Sequence, residues 1–583
     1  MKTFLFTAIA ILTILTSSAG IYAGSVKTIR LFGNGHSPYD ILLPATASPS
    51  EQTAAKELQC TLKNISGITL PIHQETSKNK YHIFIGFHKK LADKASVLQP
   101  DRKDEGYVYR SIGKNLWIYG GAQRGTLYGV YAFLQKELGC RWFTPNDSLI
   151  PQRQNWFFPS NLYHQEKPAI GIRFNQYHEA YNSHWAVRHF NNAIYQTPEY
   201  GGSERYWNAH TMGQFMPAKE YYAEHPEYFA LRDGKRIDNG QLCLSNPNVL
   251  HICTEKLRNT MRNAPDFTIY SLSQNDNQRY CQCEKCQELA DRYGGQSGLL
   301  LWFVNHAADA VAAEFPDKYV GTFAYQYTRR PPQNIKPRSN VVIRLCSIEC
   351  CFVHSLEECS GEQNKPFMAD LETWSQLAPH LYIWDYIVTY SQYLGPFPNF
   401  SVIGPNIKTF IRHNAIGIQE EAQYQTPCSE FSELRSNVTS ALLWNPDQDL
   451  DSLVNDFIYG YYGKAAKTVR EYYDLVQGLV TRDVHMNIYP NAWHPIFTDE
   501  FINKGFALMK QARQEADNEA ILHRVERVGL GLLYLKTMRQ KKEALKDGTY
   551  EELCRIVRRD KGRISETHTL EQFEYFIQHG KWK

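Results

Sequence analysis

For a chain of 583 residues there is almost no net charge: 63 Lys and Arg stand against 60 Asp and Glu, a formal +3. That balance offers no electrostatic footprint for nucleic acid or an anionic membrane surface. The one short basic run, RRDKGR around Arg558, falls in a helical stretch and reads as a solvated face. Beyond residue 23 no hydrophobic run approaches the roughly 20 residues of a membrane-spanning helix. There is no HExxH, no P-loop, no GxGxxG after a strand and no GxSxG elbow, so the usual signatures of metalloproteases, nucleotide-binding folds and serine hydrolases are missing. No cofactor is called for. His210 and His225 lack a spaced partner, and no metal ligand is assigned. No internal repeat and no low-complexity tract occurs.

Several features are present instead. Residues 1–23 form a targeting segment: Lys2 supplies the positive start and Phe4 to Leu15 an apolar run too short to cross a bilayer. A small-residue cleavage site follows, and no cysteine lies nearby to carry a lipid. The mature protein is therefore expected to be periplasmic or secreted. Thirteen cysteines in an exported chain leave at least one unpaired. Cys281, Cys283, Cys286, Cys346, Cys350, Cys351 and Cys359 are dense enough to suggest local disulfides. A zinc site lacks a second CxxC or a His partner at standard spacing, so disulfides or buried thiols are the preferred reading. The 37 Tyr and 11 Trp lean towards sugar, whose apolar face packs on flat amphipathic rings.

The pattern along the chain divides it into the targeting segment (1–23), a small α/β domain (24–160), a (β/α)8 TIM-like barrel (165–430) and a helical C-terminal region (431–583). In the small domain, Ser48-Pro49-Ser50-Glu51 reads as a capping box with proline at the first helical position. Ala55, Leu58, Leu62 and Ile65 then recur at helical spacing up to Gly67. Strands are expected over 81–87, 107–110 and 116–119, followed by a second helix through Leu127, Val130, Leu134 and Leu138. In the barrel, strands are expected over 171–174, 267–273, 319–325, 341–347, 381–387 and 416–419, with helices between them. Residues 175–265 are too irregular to place the second and third strands.

The stretch 266–286, DFTIYSLSQNDNQRYCQCEKC, reads as the fourth barrel strand running into a polar cluster and three cysteines. Apolar strands that end in polar groups are how such barrels present chemistry at their C-terminal rim. The same holds for the later strands: Tyr325 closes the fifth, Glu349 follows the sixth, Asp385 the seventh, and Glu420-Glu421 the eighth. Only one of Glu420 and Glu421 points inward, because strand neighbours face opposite sides. Glycoside hydrolysis needs such a ring: one carboxyl protonated to assist the leaving oxygen, another group anionic to attack, activate water or hold an N-acetyl group. A lone strand-end acid is more often a helix cap or ion-pair partner, so the pattern marks a rim without assigning roles.

The strings RGTLYGVYAFLQKELGCRWFTP, HPEYFAL, QLCLSNP, SLSQNDNQRYCQCEKC, RLCSIECC, YIWDYIVTY and SELRSNVTSALLWNPDQD resemble the bacterial family known as domain of unknown function 4838, which includes glycoside hydrolase family 163. The small domain also resembles the N-terminal domain of α-glucuronidases and family 20 hexosaminidases. The resemblance implies β-N-acetylglucosaminidase chemistry on complex N-glycans or related host glycans, retaining and assisted by the substrate's own N-acetyl group. On that reading Asp276 and Glu349 are the catalytic pair, and Asn275, Tyr325, Trp384, Asp385, Glu420 and Arg173 bind substrate. Asn275-Asp276 departs from the usual Asp-Glu or Asp-Asp pair, which leaves Asp276 as acid, polariser or substrate anchor. Two alternatives stand beside it: a uronic-acid glycosidase, for which Arg173 and Arg344 are the candidate cations, and a non-catalytic glycan-binding protein.

Overall fold

The computed structural model describes residues 27–92 and 100–582, so the expected targeting segment lies outside the described residues. Ser48 caps the helix Pro49–Ser66 through the expected box: its hydroxyl accepts from the Glu51 amide and the Glu51 carboxylate accepts from the Ser48 amide. Gly67 ends that helix at φ 77°, a left-handed conformation that glycine enters without penalty. Pro49–Ser66 and Gly125–Lys136 pack their apolar faces on a six-stranded sheet. Its strands run in the order Tyr163–Glu166, Tyr107–Ile112, Asn115–Gly120, Tyr81–Ile85, Tyr39–Leu43 and Ile72–Gln74. The expected strands are its centre. The two edge strands, Tyr163–Glu166 and Ile72–Gln74, are short and part polar and were not expected, and neither was the buried inner strand Tyr39–Leu43.

The central unit is a curled, all-parallel sheet of seven strands in the order Ile172–Asn175, Ala415–Glu421, Leu381–Tyr386, Val341–Cys346, Tyr319–Ala324, Ile269–Ser271 and Tyr206–Trp207. Helices cover its outer face, among them Gln296–Val311, Asn364–Leu377 and Phe400–Arg412 at the expected places. The barrel expected with eight strands thus has seven, and among the described residues no ladder joins Ile172–Asn175 to Tyr206–Trp207. Ile269–Ser271 pairs directly with Tyr206–Trp207, which makes the 266–286 stretch the third strand and not the fourth. The intervening chain forms short helical turns, the small hairpin Leu231–Arg232/Lys235–Arg236, which pairs with no strand of the large sheet, and the long helix Pro247–Asn263 that leads into Ile269–Ser271.

Alternation along the strands decides what faces the barrel interior. Ile269, Val342 and Tyr382 plug its floor together with Ile172, Tyr206, Tyr319 and Ile416. Two residues further along, Arg344 lies in the interior, 3% exposed, with its guanidinium 4.2 Å from the ring centres of both Tyr206 and Trp384. It forms no salt bridge among the described residues. The C-terminal helices, from Leu450–Tyr461 to Leu570–His579, share one continuous apolar core with the outside of the sheet. No helix among the described residues is long and apolar enough to cross a membrane.

Candidate active site

At the carboxyl ends of the strands lies a cavity of about 270 Å³ lined by His210, Asp276, Phe323, Tyr325, Cys346, Ile348, Trp384, Tyr386, Tyr390, Glu421, Tyr489 and Glu566. Each strand delivers its residue by the same parity. Tyr382 faces the floor, so Trp384 and Tyr386 rise on the same side, while Leu381, Ile383 and Asp385 turn to the helices. In the neighbouring strand Gln419 and Glu421 face inward and Ile418 and Glu420 outward.

Three carboxyl groups meet here. Asp276 is exposed at the mouth, and its Oδ1 accepts the Tyr325 hydroxyl at 3.1 Å. That hydroxyl accepts in turn from Gln326 Nε2 at 2.9 Å. Burial and the Asp276 carboxylate hold the Tyr325 phenol in its protonated form, above its ordinary range. Glu421 is buried, and the indole Nε1 of Trp384 donates to its Oε2. Burial pushes its carboxyl up to about 7, against the lowering effect of the Trp384 and Tyr390 donors. Glu566 reaches the cavity from the C-terminal region, and burial and the Asp276 charge raise it as well. Its chain is fastened in place where the Glu566 amide donates to the Tyr390 carbonyl at 3.3 Å. His210 and Gln326, both at the rim, hold left-handed backbone at φ 52° and 51°, the kind of local strain that collects at functional sites.

Of the residues expected from the sequence, Asp276, Tyr325 and Trp384 are gathered in this cavity. The others are placed elsewhere. Glu349 faces an adjacent cavity and is paired with Arg329 at 2.9 Å, which also binds Asp370 at 2.8 Å. Asn275 braces its own loop: its Oδ1 accepts from the Gly213 amide at 2.7 Å and its Nδ2 donates to the Gly240 carbonyl at 3.0 Å. Asp385 and Glu420 are register partners on the outer face of the sheet, under the helices. Asp385 accepts from the Ser347 hydroxyl at 2.5 Å, and burial raises both carboxyls. Arg173 also points outward. It is fully buried, bound to Glu105 at 2.6 Å and donating to the carbonyls of Phe190 and Ile170, and so fastens the small domain to the sheet.

Glu421, named from the sequence beside Glu420 as the end of the last strand, is the inward one of the two, and Glu566, Tyr390 and Tyr489 complete the site without having been singled out from the sequence. The signal for Glu421 lay in the alternation Gly417, Gln419, Glu421 against Ile418 and Glu420. Nothing local marks Glu566. A second cavity, between the small domain and the helices, is walled by Trp142, Phe190 and Trp444. Its carboxylates Glu166 and Asp456 are neutralised by Lys136 and Arg141 at 2.7 and 2.6 Å, which leaves the rim cavity as the one with acids available for chemistry.

The family described as "Domain of unknown function (DUF4838)" matches residues 142–474, and that described as "Glycosyl hydrolase family 67 N-terminus" matches residues 35–133. No curated protein matches the sequence. Among solved structures, a family GH115 4-O-methyl-alpha-glucuronidase with specificity for decorated arabinogalactans superposes with a TM-score of 0.60 at 10% identity, over 91% of this chain and 77% of that one. At that identity the likeness speaks for the fold alone. A Flavobacterium johnsoniae chitobiase aligns over 94% of both chains at 12% identity with a TM-score of 0.46, too distant a match to carry an argument.

Proposed function

This chain belongs to the DUF4838 family, and from that premise we propose that it is an exported glycoside hydrolase whose rim cavity cleaves a glycan. The observation that supports this reading is the pairing of unlike carboxyls in one aromatic-walled cavity. Glu421 is buried and titrates near 7, so at neutral pH much of it retains a proton to give to a leaving oxygen. Asp276 stands at the open mouth with the Tyr325 hydroxyl donating to it, as an acceptor that orients a substrate group. Trp384, Tyr386 and Tyr390 supply flat faces for a sugar ring.

The substrate class we propose is a β-N-acetylglucosaminide of complex N-glycans or related host glycans. In this reading Asp276 holds the N-acetyl nitrogen, the acetamide oxygen attacks the anomeric carbon, and the Glu421 proton passes to the glycosidic oxygen as the bond breaks. Water then opens the resulting ring intermediate, with Glu421 taking a proton back, which preserves the anomeric configuration. Glu421 thereby takes the acid role first given to Glu349. A uronic-acid glycosidase is the second reading, favoured by the family 67 match of the small domain. It is weakened by the two candidate cations: Arg173 is bound to Glu105, and Arg344 lies beneath the Trp384 ring.

The test is incubation of the purified protein with complex N-glycans, an aryl N-acetyl-β-glucosaminide and aryl glucuronides, alongside Glu421→Gln and Asp276→Asn. The expected result is release of N-acetylglucosamine that both substitutions reduce by about 10²-fold or more. Turnover of glucuronides alone would favour the second reading. A chain that binds these glycans and cleaves none would be a binding protein, and the hydrolase reading would fall.

A further inference from the structure

All thirteen cysteines are free thiols, and eight Cys and His side chains outside the rim cavity converge in two groups of four. In each group the four ligand atoms lie within 4.8 Å of one another. We propose that the protein binds two structural zinc ions, one held by Cys243, Cys281, Cys283 and Cys286 and the other by Cys351, His354, Cys359 and His485.

The distances distinguish a metal site from a disulfide. Cys243 Sγ lies 3.6 Å from Cys283 Sγ and 3.8 Å from Cys286 Sγ. A disulfide needs sulphurs about 2.05 Å apart. A tetrahedron with Zn–S bonds of about 2.3 Å has S···S edges of about 3.8 Å. The second group fits the same construction. Cys351 Sγ is 3.6 Å from His354 Nδ1, and Cys359 Sγ is 3.6 Å from His485 Nδ1. The S···N edge of a tetrahedral zinc with one bond of about 2.3 Å and one of about 2.05 Å is also about 3.6 Å.

The surroundings are those of bound metal. His354 Nε2 lies 3.1 Å from the Thr481 carbonyl. A carbonyl only accepts, so the imidazole proton sits on Nε2 and the Nδ1 lone pair is left facing Cys351. In the first group the Leu231 amide donates to Cys281 Sγ at 3.3 Å, and Arg236 Nη1 is 3.8 Å from the same sulphur. Ser245 Oγ is 3.2 Å from Cys286 Sγ. Such donors offset the charge of a zinc carrying four thiolates. Ala230, Ala290 and Leu299 enclose the group in an apolar shell. On binding, each thiol ligand gives its proton to solvent and no electron is transferred, so neither site needs an oxidant.

Both groups join segments far apart in sequence, and both bear on the rim. The first ties the turn at Cys243 to the loop that follows Asp276. The second ties the loop after the strand Val341–Cys346 to the segment at His485. Beside it, the Phe352 amide donates to the Met486 carbonyl and the Tyr390 amide to the Ile488 carbonyl, which sets Tyr489 over the cavity.

The experiment is metal analysis of untagged full-length protein, by inductively coupled plasma mass spectrometry, with zinc-edge X-ray absorption on the same sample. The expected result is two zinc per chain, with an average of three sulphur and one nitrogen ligand per zinc. Cys283→Ser/Cys286→Ser and His354→Gln/Cys359→Ser are each expected to retain one. Should either variant fail to fold, the wild-type absorption spectrum still decides: a single zinc with four sulphurs overturns the second site, and one with two sulphurs and two nitrogens overturns the first. A zinc-free protein, iron in place of zinc, or disulfides joining these cysteines in non-reducing peptide maps would overturn both.

Discussion

At the scale of single residues, Glu421 sets the pH behaviour. Its carboxyl titrates near 7 in the folded protein against an ordinary value of 4.5. Between those two pH values the folded state holds a proton that the unfolded chain has released. Stability from this group is therefore full below about pH 4.5, declines as pH rises towards 7, and is level above. Asp385, pushed up to about 6, acts with the same sign, so the comparison that isolates Glu421 is wild type against Glu421→Gln in denaturant melts from pH 4 to 8. The substitution is expected to make that profile flatter; an unchanged slope would show that Glu421 titrates normally. In kinetics, kcat/KM of the wild type is expected to fall above about pH 7 as the acid loses its proton. Glu349→Gln, at an exposed ion pair in the next cavity, is expected to leave kcat/KM near the wild-type value.

At the scale of elements, strand alternation explains most of what separates expectation from structure. Trp384 and Asp385 are neighbours in YIWDYIV, yet one lines the cavity and the other lies under the helices. Arg173 is turned outward by the same rule, because Ile172 belongs to the barrel floor. Glu105 keeps Arg124 and Asn192 when Arg173 is removed, but the buried carbonyls of Phe190 and Ile170 lose their donor. Arg173→Ala is therefore expected to destabilise the protein by about 1–3 kcal/mol, the cost of buried acceptors left unsatisfied. Chemical denaturation measures this, and the kcat of the folded fraction is expected to be unchanged. A variant as stable as the wild type, with KM raised instead, would return Arg173 to the substrate. The strands and their polar ends were legible because apolar runs bounded by polar clusters are a local signal. Which side of a strand faces inward was not, since the register shift between Leu381 and Tyr382 belongs to the pairing and not to the sequence of either strand.

At the scale of the whole molecule, the cavity is closed by the C-terminal region, in which the sequence marks only helices. Tyr489 and Glu566 come from the C-terminal region, and Tyr390 is hydrogen-bonded to both segments, its amide donating to the Ile488 carbonyl and its carbonyl accepting from the Glu566 amide. The C-terminal region is thus part of the site. Tyr489, 56% exposed with its ring centre 6.0 Å from that of Tyr390, is placed to stack on a bound sugar. Tyr489→Ala is expected to raise KM by about 2- to 10-fold with kcat nearly constant, the loss of one aromatic face. A drop in kcat at constant KM would instead place Tyr489 in the chemistry.

By itself the sequence determined the α/β class, the capped first helix, the run of strands ending in polar groups and the family. Each of these is written in short-range spacing, which fixes local conformation and which residues can share a face. Only the tertiary structure decided that seven strands form the curled sheet, that Glu421 and not Glu349 joins Asp276, and that cysteines and histidines gather in fours. Cys243 meets Cys283 across 40 residues, and Cys359 meets His485 across 126. Such meetings depend on how helices and loops pack over the sheet, and no spacing rule along the chain carries that information.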